Sequence, residues 1–152
     1  VTHVHCRRKS RYPAAMSNLP TSSATSLLST YVHLRDDRSA ATIENTPAFW
    51  GELTGGQRPE LDAGRLLLAM DFTEDWPTWE IHPAGDEIVL LLAGEADLVL
   101  DLDGREERRH LRSPGDFVVV PRGVWHTAKI SSYSKMLFIT PGEGTENRPV
   151  SR

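Results

Sequence analysis

One cysteine, Cys6, is all the chain has, and a lone thiol makes no internal disulfide. The fold must be held by its core, and the composition fits a reducing compartment such as the cytoplasm. Long apolar runs are missing as well. None approaches the ~18 residues of a membrane span, and no apolar stretch near the N-terminus has the length of a secretory signal. A basic excess is absent: 17 Lys and Arg stand against 21 Asp and Glu, for a net charge of −4. The one basic cluster, CRRKSR from Cys6 to Arg11, lies near the N-terminus. A nucleic-acid face, which needs clustered cations, is therefore not expected. Nor does the chain hold a GxxxxGK[ST] phosphate loop, a GxGxxG dinucleotide turn or a GxSxG nucleophile elbow.

What is present is ordinary for one globular domain: 152 residues, 39% of them hydrophobic and 25% charged, enough to bury a core. Residues 1–25 are polar, rich in Ser and Pro and without apolar periodicity, and are expected to be a disordered tail. Met16 begins a more ordinary start, so residues 1–15 are expected to come from a start site set too far upstream; a basic targeting tail is the alternative. Residues 26–63 are expected to be an N-terminal extension that packs on the β-rich remainder of the chain. Within it SLLSTYVHLRD reads as a short helix or an outer strand, and TPAFWGELTGGQRPELDAG as a loop.

From Gly64 the pattern is β. RLLLAMDF, PTWEIH, EIVLLLA, EADLVLDL, REERRHL, FVVVP, VWHTAKI and KMLFIT are short runs bounded by Gly, Pro, Asp or Ser, as strands are. Asp103-Gly104 is a two-residue hairpin signal, because a type I′ turn needs positive φ at both positions. Many short strands with tight turns imply an all-β sandwich or barrel. Residues 143–152 read as a C-terminal tail.

Chemistry concentrates in WEIHPAGDEIVLLLAG, Trp79 to Gly94. Alternate residues of a strand share a face, so Glu80 and His82 point the same way, together with Trp76. A hairpin at Pro83-Ala84-Gly85 would bring Glu87 back beside His82. His126 closes GDFVVVPRGVWH, where Gly115 and Pro121-Arg122-Gly123 are turn residues around an apolar strand. Trp125 should point away from His126.

These two segments resemble the two motifs of the cupin superfamily. In the first motif, G-x5-H-x-H-x3,4-E-x6-G, His82, Glu87 and Gly94 match. Glu80 stands where the family has its first His, and Glu74 where it has its opening Gly. In the second motif, G-x5-P-x-G-x2-H-x3-N, Gly115, Pro121, Gly123 and His126 match in spacing, and Ile130 replaces the Asn. The resemblance covers about residues 64–142 and implies a double-stranded β-helix, a jelly-roll barrel with its site inside. It implies metal ligands at His82, Glu87 and His126, with Glu80 as a fourth ligand, a general base or a paired structural carboxylate. Two imidazoles and a carboxylate suit a divalent transition metal, with Fe, Mn, Zn and Ni all admissible.

The implied function is metal-dependent chemistry on a small organic molecule, of dioxygenase, isomerase, decarboxylase or lyase type. A non-catalytic small-molecule-binding or sensor protein that has lost its metal is the alternative. Trp76 and Arg122 are candidate cavity residues. A homodimer is expected, because sheet edges need cover. HVHC near the N-terminus and His110 on a charge-rich hairpin are read as incidental.

Overall fold

The computed structural model describes residues 24–150. The expectations for residues 1–23, including the upstream start and the HVHC cluster, lie outside the described residues. Among the described residues, eleven strands make two antiparallel sheets. The larger runs β2-β1-β3-β10-β5-β8 and the smaller β11-β4-β9-β6-β7. Their ranges in chain order are β1 Thr30–Leu34, β2 Ala40–Glu44, β3 Arg65–Phe72, β4 Thr78–Ile81, β5 Glu87–Gly94, β6 Ala96–Leu102, β7 Arg105–Leu111, β8 Phe117–Val120, β9 Trp125–Lys129, β10 Ser134–Pro141 and β11 Glu146–Pro149. This is the all-β double-stranded β-helix that the two motifs imply.

The sheets face each other across one core, and the strand alternation shows why. In β6, Ala96, Leu98 and Leu100 point inward; in β10, Ser134, Met136 and Phe138 do. Ala96, Leu98, Leu100, Met136 and Phe138 form one hydrophobic cluster with Leu68, Val89, Leu91 and Ala128. Full burial of each large aliphatic side chain contributes roughly 1.5–3 kcal/mol, so this interior carries much of the stability. Asp103 and Gly104 take φ of 55° and 84°, the positive pair required between β6 and β7, and Leu102 faces Arg105 across the turn.

The N-terminal stretch departs from its sequence reading in detail. SLLSTYVHLRD supplies β1, which pairs with β2 on one side and β3 on the other. It is therefore an inner strand, and Ala40–Glu44 is the edge. The expected loop contains helix α1, Phe49–Thr54, and a 3-10 turn at Pro59–Leu61. A helix of six residues has little propensity of its own. Burial fixes it: Phe49 is fully buried and meets the Tyr31 ring edge-on at 5.1 Å. Tyr31, Phe49 and Leu61 belong to the same core cluster as the barrel strands.

The expected tail from residue 143 also differs. Glu146–Pro149 pair with Ile81–Thr78 as β11. The segment is exposed and polar throughout, so it has no apolar alternation to betray a strand; what holds it is the free edge of β4. No helix among the described residues is long and apolar enough to cross a membrane.

Candidate metal centre

Glu87 does not reach His82 through a hairpin. β4 belongs to the smaller sheet and β5 to the larger. The turn after His82 carries the chain from one wall of the barrel to the other, and Glu87 faces the histidines across the interior. On the opposite wall, Glu80 on β4 lies in register with His126 on β9, and His126 with Leu100 on β6. His126 thus sits in a strand paired on both sides. The turn Pro121-Arg122-Gly123 sets this approach: Gly123 has a φ of 76°, and its N–H donates to the His82 carbonyl at 3.1 Å.

One ligand atom each from Glu80, His82 and His126 lies within 4.8 Å of the others. Glu87 adjoins the same point: Oε1 is 3.5 Å from His82 Nε2 and Oε2 is 2.9 Å from His126 Nε2. His82, Glu87 and His126 are 3%, 2% and 0% exposed. Despite these short distances, His82 Nε2, His126 Nε2 and Glu87 Oε2 have no aligned hydrogen bond among the described residues.

The far sides of the same groups are held. His126 Nδ1 lies 3.2 Å from the Val124 carbonyl, which can only accept, so Nδ1 carries the proton. His82 Nδ1 lies 2.9 Å from Thr145 Oγ1. That hydroxyl is within reach of the Pro141 and Gly142 carbonyls, to which it donates, and so it accepts from the imidazole. In the neutral form both rings then turn an Nε2 lone pair inward. Thr140 donates to Glu87 Oε1 at 2.5 Å and leaves Oε2 free.

The electrostatics follow the packing. Burial opposes ionisation of Glu87, but the hydrogen-bonding reach and charge of His126 and His82 outweigh it and hold the carboxyl down at about 2. For His126, burial disfavours the charged ring, yet the Glu87 carboxylate beside it prevails and raises its pKa. Glu80, half-buried, is raised by burial first and by the charge of Glu87 second.

These residues fit a divalent metal. A buried polar atom without a partner costs about 1–3 kcal/mol, and three such atoms face one point here. A purely structural His–Glu pair would align its N–H with the carboxylate; this one does not. The donor set of two nitrogens and two carboxylates admits Fe(II), Mn(II), Zn(II) or Ni(II).

A cavity of about 560 Å³ adjoins the cluster and includes Glu80, His82 and Glu87 in its wall. Leu66, Leu68, Met70, Phe72, Trp76 and Phe138 supply its apolar lining. Trp76 sits 6.1 Å from the His126 ring, edge to face. Arg122 does not line the cavity. It is exposed in the turn outside the barrel, where its backbone N–H donates to Asp86 at 2.8 Å. Trp125 points away from His126, as strand alternation requires, and lies 4.4 Å from the Arg148 guanidinium. His110 is exposed and bonded to Asp97 at 2.8 Å.

Sequence reasoning missed Thr140 and Thr145, which hold Glu87 and His82. Thr140 had a signal, since it shares the alternation of Met136 and Phe138. Thr145 had none. It also missed Trp50, Leu53 and Leu61 in the cavity wall, because they come from the stretch read as a loop.

Residues 72–140 match the family described as the cupin domain. Acireductone dioxygenases from two strains of Rhodopseudomonas palustris are 31% and 30% identical to the chain over 106 residues. These alignments cover 65% of this chain and 58% of the relatives, so the chain spans little over half the length of the proteins it matches. Among solved structures, an oxalate oxidase is similar with a TM-score of 0.46 and 22% identity, over 53% of this chain and 44% of that one. A cupin-2 domain protein from Shewanella frigidimarina gives a TM-score of 0.44 and 21% identity, over 51% and 70%.

Proposed function

Since residues 72–140 form a cupin domain, we propose that Glu80, His82, Glu87 and His126 hold a divalent transition metal and that the chain is a metal-dependent enzyme acting on a small organic molecule. One observation carries this reading: two imidazole nitrogens and a carboxylate oxygen, all buried and without aligned partners, face one point beside a cavity. Similarity to acireductone dioxygenases supports a dioxygenase first, ahead of the isomerase, decarboxylase and lyase types.

A metal there would supply Lewis acidity or a meeting point for oxygen and substrate. The protein's own residues do the rest. Thr145 and the Val124 carbonyl fix the tautomers and aim both rings. Thr140 fixes the rotation of the Glu87 carboxyl. The apolar wall excludes water from the reacting atoms. Glu80 opposes His126 and serves as fourth ligand or as proton carrier. Burial first, and the charge of Glu87 second, raise its pKa above the ordinary carboxylate value, the direction that favours proton exchange.

The same apolar cavity suits a second reading, a carrier or sensor that binds a small molecule without turnover. Oxygen uptake and product formation, measured with Fe(II)-reconstituted protein across a substrate panel, separate the two. Turnover abolished by His126→Ala supports the enzyme. Ligand binding with no turnover for any substrate would favour the carrier.

The proposed assembly is a homodimer. Phe117 and Val119, 60% and 47% exposed, lie on edge strand β8 beside Leu90 and Ile88 of β5, with Leu92, 38% exposed, next along. A contiguous apolar patch on a sheet edge favours cover by a second copy.

A further inference from the structure

Two walls of the cavity differ in chemistry. Leu66, Leu68, Met70 and Phe72, alternate residues of β3 that share one face, line the first. Thr78, Glu80 and His82, spaced the same way along β4 and just past its end, line the second. Asn147 and Thr145 add polar groups on the β4 side. The apolar row starts beside the metal centre: Leu66 pairs across the sheet with Thr140, which donates to Glu87. From there it extends for about 20 Å, at ~3.3 Å per residue. Asp62 and Asp75 also line the cavity, and both are exposed to solvent.

A third side comes from the N-terminal extension, outside the matched residues 72–140. α1 packs on β1, with Phe49 and Trp50 at 5.1 and 6.0 Å from the Tyr31 ring. Tyr31 precedes Val32, the partner of Leu67 on β3, so the helix stands beside the apolar row. Trp50, Leu53 and Leu61 reach the cavity from there, and Leu53 is half-buried against the core. Thr54 lines the same side, with its hydroxyl bonded to the Trp50 carbonyl at 2.8 Å. The extension therefore adds apolar surface to a cavity whose polar groups are gathered at the metal centre and along β4.

From this arrangement we infer that β3 and α1 form an apolar subsite and that Leu53 and Trp50 set its specificity. The substrate has a polar group that meets the metal centre and an apolar chain or ring that lies along β3 beside α1. The inference deepens the metal-dependent reading and rests on it for the polar end alone.

The probes are acetohydroxamate, butanohydroxamate and hexanohydroxamate, which carry one zinc-ligating head on chains of increasing length. Their binding to the full chain, zinc-loaded and zinc-free, is measured by titration calorimetry. Each methylene that enters an apolar subsite should tighten binding about two- to fourfold, so hexanohydroxamate should bind at least about 15-fold more tightly than acetohydroxamate. Leu53→Asn keeps the size of the side chain and removes its apolar surface. It should weaken hexanohydroxamate about three- to tenfold and acetohydroxamate by no more than about twofold. Trp50→Gln, at a residue 39% exposed, is the second variant and should act in the same direction. A gain below about threefold across the series in wild type would overturn the inference. Weakening of all three probes by one factor in both variants, or no weakening, would overturn the role of α1. The dependence on chain length tests the subsite, and the difference between zinc-loaded and zinc-free protein tests the metal. Equal binding with and without zinc, or no zinc uptake, would refute the metal reading and leave chain length to decide the subsite.

Discussion

His126 Nε2 and Glu87 Oε2 come within 2.9 Å of each other from opposite sheets, yet neither has an aligned hydrogen bond. The two atoms face a common point and not each other. Thr140 and the Val124 carbonyl, each bonded to the far side of one of these groups, keep both atoms turned that way. An arrangement of this kind is stable when a third body occupies the point.

The Thr145 hydroxyl provides the first test. Thr145→Val keeps the side chain's size but leaves His82 Nδ1 without its acceptor. Loss of such an outer partner typically costs 10- to 100-fold in metal affinity. Competition with a chromophoric chelator should show a fall of about that size for Zn(II). Thr145 is largely exposed, so the melting temperature should move by no more than about 2 °C.

The second test is pH, with opposite signs for the metal-free protein and for the stabilisation that metal adds. The raised pKa of His126 contributes stability that is fully present below its unfolded pKa of ~6.5 and is lost as pH rises through the folded value. The lowered pKa of Glu87, about 2, contributes stability present above its unfolded value and lost as pH falls towards 2. The raised Glu80 subtracts stability once pH passes its unfolded value. Metal-free protein should therefore melt higher at about pH 6 than at about pH 8. Metal needs neutral imidazoles, so the rise in melting temperature on adding Zn(II) should be larger at about pH 8 than at about pH 6. Calorimetry showing the same increment at both would refute the coupling.

Gly94 tests the close backbone approach at the end of β5. Its φ is 74°, and a Cβ there would lie 2.0 Å from the Tyr133 carbonyl oxygen. Gly94→Ala should cost more than about 2 kcal/mol, beyond the 1–2 kcal/mol of left-handed backbone alone, because the clash adds to it. Gly104, with φ 84° and open space around it, should lose only about 1 kcal/mol on the same change. Urea unfolding of the pair checks the difference.

Association is tested at the β8 edge. Light scattering at roughly tens of micromolar should give twice the 17.0 kDa chain mass. The double variant Phe117→Lys, Val119→Lys should give the single chain with its fold intact. Wild-type protein found only as a monomer would refute the dimer.

The barrel was legible because its strands alternate. Leu98 and Leu100, or Met136 and Phe138, announce an inner face without help from elsewhere. The Asp103-Gly104 turn could be read from two residues. Segments whose structure depends on distant partners were not legible. α1 exists because Phe49 finds Tyr31, and β11 because β4 has a free edge; neither fact is local. The site divides in the same way. Glu80, His82 and His126 follow from strand faces and motif spacing. The position of Glu87 on the opposite wall required knowing that the chain changes sheets after Gly85. Thr145, bonded to a histidine 63 positions away, left no trace in the sequence.

Metal content of purified, reconstituted protein tests the central claim most directly. Full-length wild type and the variants His82→Ala, His126→Ala, Glu87→Ala and Glu80→Ala are loaded with Fe(II), Mn(II), Zn(II) and Ni(II) and measured by plasma mass spectrometry. The account predicts close to one equivalent of at least one metal in wild type and almost none in the two histidine variants. Glu80→Ala, which removes the least buried ligand, should retain a measurable fraction. Wild-type uptake below about a tenth of an equivalent for every metal would contradict the account.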